Sequence, residues 1–340
     1  MTRPAQTGEF AVNAVVDTLV DTFATAQQWL FEAVIQPLMF ALGLASVLED
    51  GYGATGWLLV GLLQLLALVA VVGPLQRWRP VEPVTDGATI RTDMVYTVIH
   101  RLGLFRLVLF FSIEPVFDEL LGRMRVGGWE TFHLDALWPG VTDTPFASFL
   151  LYLVVLDFFN YWVHRGQHQF EWWWKLHSLH HAQRQMTMWS DNRNHLLDDL
   201  LRDVLLVVLA QLIGVAPGQF VAISAFTQLS ESFQHANLRV WFGRVGERLW
   251  VSPRFHRLHH SVGLGHESPA GRSQGVEAIS LGGANFGVLL PWWDVLFGTA
   301  NFEHRFDPTG VRDQVEQGRD YGRSFWSQQW LGVKRLAGRA

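Results

Sequence analysis

Residues 156–181 read LDFFNYWVHRGQHQFEWWWKLHSLHH, and they decide how the rest of the chain is understood. An apolar run ends in His164-Arg-Gly-Gln-His168. A tryptophan-rich segment follows, and then His177-Ser-Leu-His180-His181. A spacing of four puts His164 and His168 on one helix face. In HxxHH the residues three apart share a face, while the adjacent histidine points about 100° away. A unit of that kind can serve two metal ions at once.

The pattern recurs as His256-Arg-Leu-His259-His260. Ten of the 14 histidines fall between 164 and 260, with His195 and His235 as singletons. Buried or interfacial ionisable groups are costly without partners, so such clusters read as metal ligands. His100, His133 and His304 read instead as hydrogen-bonded core residues, and His266 as a loop residue. Imidazole suits iron, zinc, copper or nickel rather than magnesium or calcium. A closed zinc site needs about four ligands, and here more than eight are offered. From residue types alone the site is a nitrogen-rich cage for two transition metals.

Composition sets the environment. Apolar residues are 49% and charged residues 17% of the 340, below the roughly one quarter charged that is usual in soluble domains. The net charge of −5 and the lack of a basic tract argue against nucleic acid. With no cysteine, disulfides, iron–sulfur clusters and thiolate catalysis are excluded.

Apolar runs near 29–48, 57–75, 95–121 and 146–163, with a hairpin over 200–233, predict an all-α integral membrane protein with several transmembrane helices. Residues 1–27, with Asp17 and Asp21, read as an amphipathic lead-in and 28–144 as N-terminal membrane helices. Residues 145–300 read as the catalytic domain and 301–340 as a peripheral tail. Arg77 and Arg79 after the second run predict a cytoplasmic end there. Counting spans onward then brings every histidine cluster to the cytoplasmic face.

The three boxes in this order resemble those of the fatty acid hydroxylase/sterol desaturase superfamily, most of all a bacterial sterol-desaturase-like branch related to alkylglycerol monooxygenase. Asn285-Phe-Gly287 and Trp293-Asp294 through Gly298-Thr299 resemble the usual family ending. The resemblance implies two iron ions, O2 as co-substrate, a lipid-like substrate hydroxylated or desaturated at a C–H bond, and a bacterial inner-membrane setting. Without a dinucleotide fingerprint or haem motif, electrons are expected from a separate reductase, ferredoxin or cytochrome-type protein. The competing class is a non-oxidative metalloprotein, a membrane zinc hydrolase or metal-handling protein; it lacks support from an HExxH motif.

Expected metal ligands are His164, His168, His177, His180, His181, His195, His235, His256, His259 and His260. Asp157, Glu231 and Asn192 are expected to support them through hydrogen bonds to ligand rings, with Asp198 and Asp199 as weaker candidates. Glu231 stands four residues before His235, where many relatives of this family carry histidine, so it is also a candidate carboxylate ligand. A Gly-rich insert, 263–283, separates the third box from Asn285.

Overall fold

The first two apolar runs fold as a pair of long helices, but the break between them is not where hydropathy puts it. In the computed structural model, which describes residues 5–105, 114–262 and 283–339, α1 (Ala5–Leu30) continues through a π turn into α2 (Gln36–Ala41). Gly43 then takes φ 74, while Gly43 N–H donates to Phe40 O and Leu44 N–H to Met39 O. This is a glycine-terminated helix end whose last carbonyls are satisfied by the turning chain. The expected lead-in and first run are therefore one helix. Residues 263–282 of the Gly-rich insert, His266 among them, lie outside the described residues.

α3 (Leu48–Ala67), a π turn at Leu68–Val72 and α4 (Gly73–Trp78) form one apolar rod, Ala45–Trp78. Its most apolar 18-residue stretch has a mean hydropathy of 2.5, and only 28% of that stretch is buried. Leu62, Leu63, Leu66, Val69 and Val71 face outward, and Gly61, Gln64, Leu68 and Val72 face inward. A mostly unburied apolar helix of this length fits lipid better than a soluble core.

α5 (Gly87–Arg101) starts at the Asp86 cap and stops at Gly103, which has φ 72. α6 (Glu114–Val126) is a separate helix. The expected run 95–121 is thus not a single span. The reason lies in Arg101, which is buried and donates to Asp191 Oδ2 (3.0 Å), Gln228 Oε1 (2.7 Å) and Ser232 Oγ (2.8 Å). A segment committed to these protein partners cannot face lipid.

α7 (Pro145–Gln169) opens with proline at its first turn and is the second helix long and apolar enough to cross a membrane. Among the described residues only it and the Ala45–Trp78 rod meet that test. After a bend at Phe170 comes α8 (Glu171–His181), packed back on α7. The expected hairpin is present as α9 (Leu196–Leu212) and α10 (Pro217–Gln234), joined through Gly214 at φ 75. Its helices have 17 and 18 residues, or about 26 Å at 1.5 Å per residue, short of the roughly 30 Å hydrocarbon core. Asp198, Asp199, Arg202 and Asp203 lie on α9. The span-counting argument for the histidine face accordingly loses its basis.

Short helices follow: α11 (Gly243–Leu249), α12 (Pro253–His259) with Ser252 as its cap, α13 (Trp292–Leu296), α14 (Arg312–Glu316) and α15 (Phe325–Leu336). No strand occurs among the described residues, only an isolated bridge between Ser261 and Thr309. The C-terminal region packs against the helix that carries the second box. α15 packs on α8, Arg335 Nε donates to Lys175 O, and Val311 and Tyr321 cluster with Trp174 and Ala182.

The crossing of α3 and α5 tests this packing. A Cβ on Gly61 would strike the backbone carbonyl of Arg101, whereas one on Gly53 meets nothing within 4 Å. Gly61→Val should cost about 1–3 kcal/mol or more through overpacking, read as a lower melting temperature in detergent. Gly53→Ala should be neutral or mildly stabilising.

Candidate metal centre

Each box brings its histidines to the centre by a different local device. His164 and His168 occupy successive turns at the end of α7, and His177, His180 and His181 lie along α8. His235 caps the C-terminus of α10. His256 and His259 lie on α12, with His260 as its cap. All are buried.

Eight of these rings form two groups, His164, His168, His181 and His259, and His180, His235, His256 and His260. Within each group the candidate ligand atoms lie within 4.8 Å of one another. In the second, His235 Nε2 is 3.0 Å from His256 Nε2 and 3.1 Å from His180 Nε2, and His260 Nε2 is 3.1 Å from His256 Nε2. Two metal–nitrogen bonds of about 2.1 Å at right angles separate their nitrogens by about 3.0 Å. Convergent imidazole lone pairs repel unless a cation lies between them, so the donor set fits a metal.

His177 sits between the groups, its ring 5.1–5.3 Å from those of His164, His168, His180 and His181. Nε2 of His177, His181 and His259 is buried with no hydrogen-bond partner among the described residues. Buried polar atoms are rarely left so, and a metal ion would satisfy all three. The division of the boxes differs from the spacing argument in one respect. In the third box His256 and His260, four apart, share a group, and His259 turns to the other.

The opposite ring nitrogens are held by acceptors. His177 Nδ1–H donates to Asp198 Oδ2 (2.9 Å), His164 to Phe286 O (2.9 Å), His259 to Ala284 O (2.8 Å) and His235 to Glu231 O (2.7 Å). These bonds select the tautomer that leaves Nε2 free to bind metal. Two of the acceptors come from one strained loop. Asn285 takes φ 63, held there because its amide donates to Phe255 O and Asn301 O and its Oδ1 accepts from Asn301 N–H. Asp294 accepts from Phe286 N–H (2.8 Å) and Gly287 N–H (2.7 Å).

The expected supporting residues do different work. Among the described residues Asp157 hydrogen-bonds no histidine. It accepts from Leu289 N–H (2.8 Å), Leu290 N–H (3.1 Å) and Trp293 Nε1–H (2.9 Å), so it anchors the loop that presents Phe286 O. The Glu231 carboxylate pairs with Arg202 at 3.3 Å, and it is the Glu231 backbone carbonyl that meets His235. Asn192 bonds the carboxylate of Asp191, not a histidine. The structure does not bring His195 to either group: its Nε2–H donates to Gln329 O (2.9 Å) and its Nδ1 accepts from Leu197 N–H (3.2 Å), which caps α9. The carboxylate that hydrogen-bonds a clustered ring is Asp198, which also accepts from Gln167 and Trp173, while Asp191 Oδ1 lies 3.9 Å from His235 Nδ1. The backbone acceptors Ala284 and Phe286 carried no side-chain signal beyond the Asn-Phe-Gly motif around them.

Burial, then the neighbouring histidines, keeps His180, His181, His256 and His260 well below the usual imidazole range, and burial takes His259 down to about 3. These five rings are therefore neutral at physiological pH, the form in which imidazole can bind a metal.

Residues 149–299 match the family model for fatty acid hydroxylase. The chain is 25% identical over 258 residues to the ornithine lipid hydroxylase of Rhizobium tropici, covering 74% of this chain and 71% of that protein. It is 24% identical to the alkylglycerol monooxygenase of Caenorhabditis elegans over 53% of this chain and 31% of that protein. It is 23% identical to a methylsterol monooxygenase of Arabidopsis thaliana over 55% of this chain and 61% of that protein. No solved structure matches the chain.

Two predictions follow from the hydrogen bonds. Asp198→Ala should weaken metal binding about 10–100-fold, whereas His195→Gln should keep the full metal content while loosening the start of α9; metal analysis of both proteins separates the roles. In the metal-free protein, unfolded histidines titrate near about pH 6.5, above the folded values. Below that pH the unfolded chain binds more protons, so stability should fall progressively from about pH 6.5 toward 3. Thermal unfolding across this window, flat with pH, would contradict the buried neutral rings.

Proposed function

We propose that this chain, whose residues 149–299 are a fatty acid hydroxylase domain, is a membrane oxidoreductase that holds two iron ions and hydroxylates a lipid with O2. The observation that carries the reading is the pair of buried four-histidine groups with His177 between them. Such a donor set suits redox-active transition metals. The relatives are named for hydroxylation of an ornithine lipid and for monooxygenation of alkylglycerols and methylsterols. For this chain the corresponding overall reaction is RH + O2 + 2e⁻ + 2H⁺ → ROH + H2O.

When bound, the two irons supply the reduction of O2 and the oxidation of the C–H bond. The protein's own part is to bind, orient and shield. His164, His168, His181 and His259 would hold one ion, and His180, His235, His256 and His260 the other, with His177 available to either. Asp198 and the carbonyls of Glu231, Ala284 and Phe286 keep the imidazole Nε2 atoms turned inward. Phe286, fully buried against His164, His168 and His259, keeps water from that side. Electrons come from a separate donor protein.

We assign the centre to the cytoplasmic side of a bacterial inner membrane. Arg77 and Arg79 end the Ala45–Trp78 rod, and basic residues favour the cytoplasmic end of a span. Arg79 O accepts from Arg239 N–H (2.7 Å), and Val81 N–H donates to Asn237 Oδ1 (3.0 Å). That end of the rod therefore lies at the level of His235.

Protein purified without oxygen should carry close to two irons per chain and consume O2 when lipid substrate and reductant are supplied. His180→Ala should lower bound iron and abolish the uptake. Tightly held zinc with no O2 consumption would sink the proposal.

A further inference from the structure

A pair of indoles ties the second box to the protein surface. Trp172 and Trp173 lie in the first turn of α8, with their rings stacked at 5.4 Å between centroids and 9° between planes. Trp172 is 49% exposed, and Trp173 is buried. Trp173 Nε1–H donates to Asp198 Oδ1 (2.7 Å), and the other oxygen of that carboxylate accepts from His177 Nδ1–H (2.9 Å). His177 keeps a buried Nε2 between the two histidine groups. Gly166, between the two histidines of the first box, makes room for the inner indole: a Cβ there would lie 3.2 Å from the Trp173 ring.

An indole that only anchored a helix at a membrane surface would aim its N–H at water or headgroups. Trp173 aims its N–H inward, at a buried carboxylate that a histidine of the centre already uses. The stacked rings and two short hydrogen bonds make a path from surface to centre that crosses no empty gap. Electron tunnelling weakens steeply with every ångström of such a gap, so a path of this kind is a conductor.

Two other aromatic chains reach the rings and are less suited to a carrier protein. Trp174 lies against His168 and His181, but it is buried with Val311 and Tyr321 of the C-terminal region. Phe286 lies against His164 and leads to Tyr161 and then Trp162, with centroid separations of 6.4 and 5.5 Å. That chain ends on α7, the apolar helix long enough to cross a membrane. Trp172 instead follows the bend at Phe170 that ends α7, where a protein outside the membrane can touch it.

We infer that Trp172 is the point at which electrons enter, and that they cross to the metal centre through Trp173, Asp198 and His177. The partner is a one-electron carrier protein that seats its redox group against the exposed Trp172 ring. Each transfer oxidises the carrier by one electron and reduces one ferric ion to ferrous, with no bond made or broken. Two transfers supply the 2e⁻ of the overall reaction. The indoles act as a bridge and are not themselves oxidised. The inference rests on the oxygenase reading.

Light-driven electron injection into the metal-loaded full chain in membrane vesicles tests the route. The chain has no cysteine, so Glu171→Cys can carry a single thiol-linked ruthenium–bipyridyl label beside Trp172. A flash with a sacrificial reductant, in the absence of oxygen, delivers one electron, and the loss of ferric absorbance gives the rate. Trp172→Leu and Trp173→Leu should each slow this reduction several-fold with the iron content unchanged. Trp172→Phe, which keeps a ring in the stack, should retain most of the rate, and Trp162→Leu should leave it unaltered. The same label at Asp320→Cys, beside Tyr321, should inject more slowly. Equal rates in the two leucine variants and the parent overturn the route and leave Trp172 as a membrane anchor. Faster injection from Asp320→Cys, independent of Trp172 and Trp173, overturns it in favour of Trp174. Protein that loads zinc but no iron defeats the oxygenase reading and the route with it; protein that loads iron and injects at one rate in every variant defeats the route alone.

Discussion

The centre depends on hydrogen bonds that pull histidine protons outward. Nine buried imidazoles facing one another would repel or pair among themselves unless something fixes which nitrogen carries the hydrogen. In His164, His177, His235 and His259 an acceptor behind the ring does so. Only one of the four acceptors is a side chain, that of Asp198. The others are backbone carbonyls, whose positions are as good as the segments that carry them. The loop through 284–290 therefore matters as much as the boxes. Asn285 at φ 63, Asp294 on two backbone N–H groups and Asp157 on two more hold it in place.

Around that core the protein separates surfaces facing lipid from surfaces facing polar protein. The Ala45–Trp78 rod turns leucines and valines outward and puts Gly61 and Gln64 inward, where Gln64 Nε2 donates to Ala225 O of α10. Arg101 joins α5 to α10 and to the loop that carries Asp191. His100 pairs with Asp199 and Arg202 with Glu231, so these ionisable residues within runs that read as spans by hydropathy are spent on protein partners. Phe117 of the first run and Arg202, Val204, Phe220 and Ile223 of the second line a cavity beside the histidine groups.

The boxes were legible because helix geometry makes short spacings meaningful: residues four apart meet whatever surrounds them. Nine of the ten expected ligands come together with buried nitrogens facing a common space. His195 does not, because a histidine just before a helix can cap it as readily as bind a metal. Asp157 was legible as a carboxylate needing partners, but its partners are more than 130 residues away in sequence. Glu231 was legible as a departure at a suggestive position, and its side chain meets Arg202 instead. The helix pairing α15 to α8 left little trace, since its buried face is made largely of glutamine, glycine and arginine stem.

By itself the sequence determined the helical character of the chain, its apolar runs and the boxes that gather nitrogen ligands, because these rest on periodicities of a few residues. Only the tertiary structure decided how the rings divide into two groups, which carboxylate holds His177, and which apolar runs turn inward. Each of those outcomes depends on contacts between distant segments: Asp198 with His177, Phe286 with His164, Arg101 with Asp191. Local spacing carries no information about them.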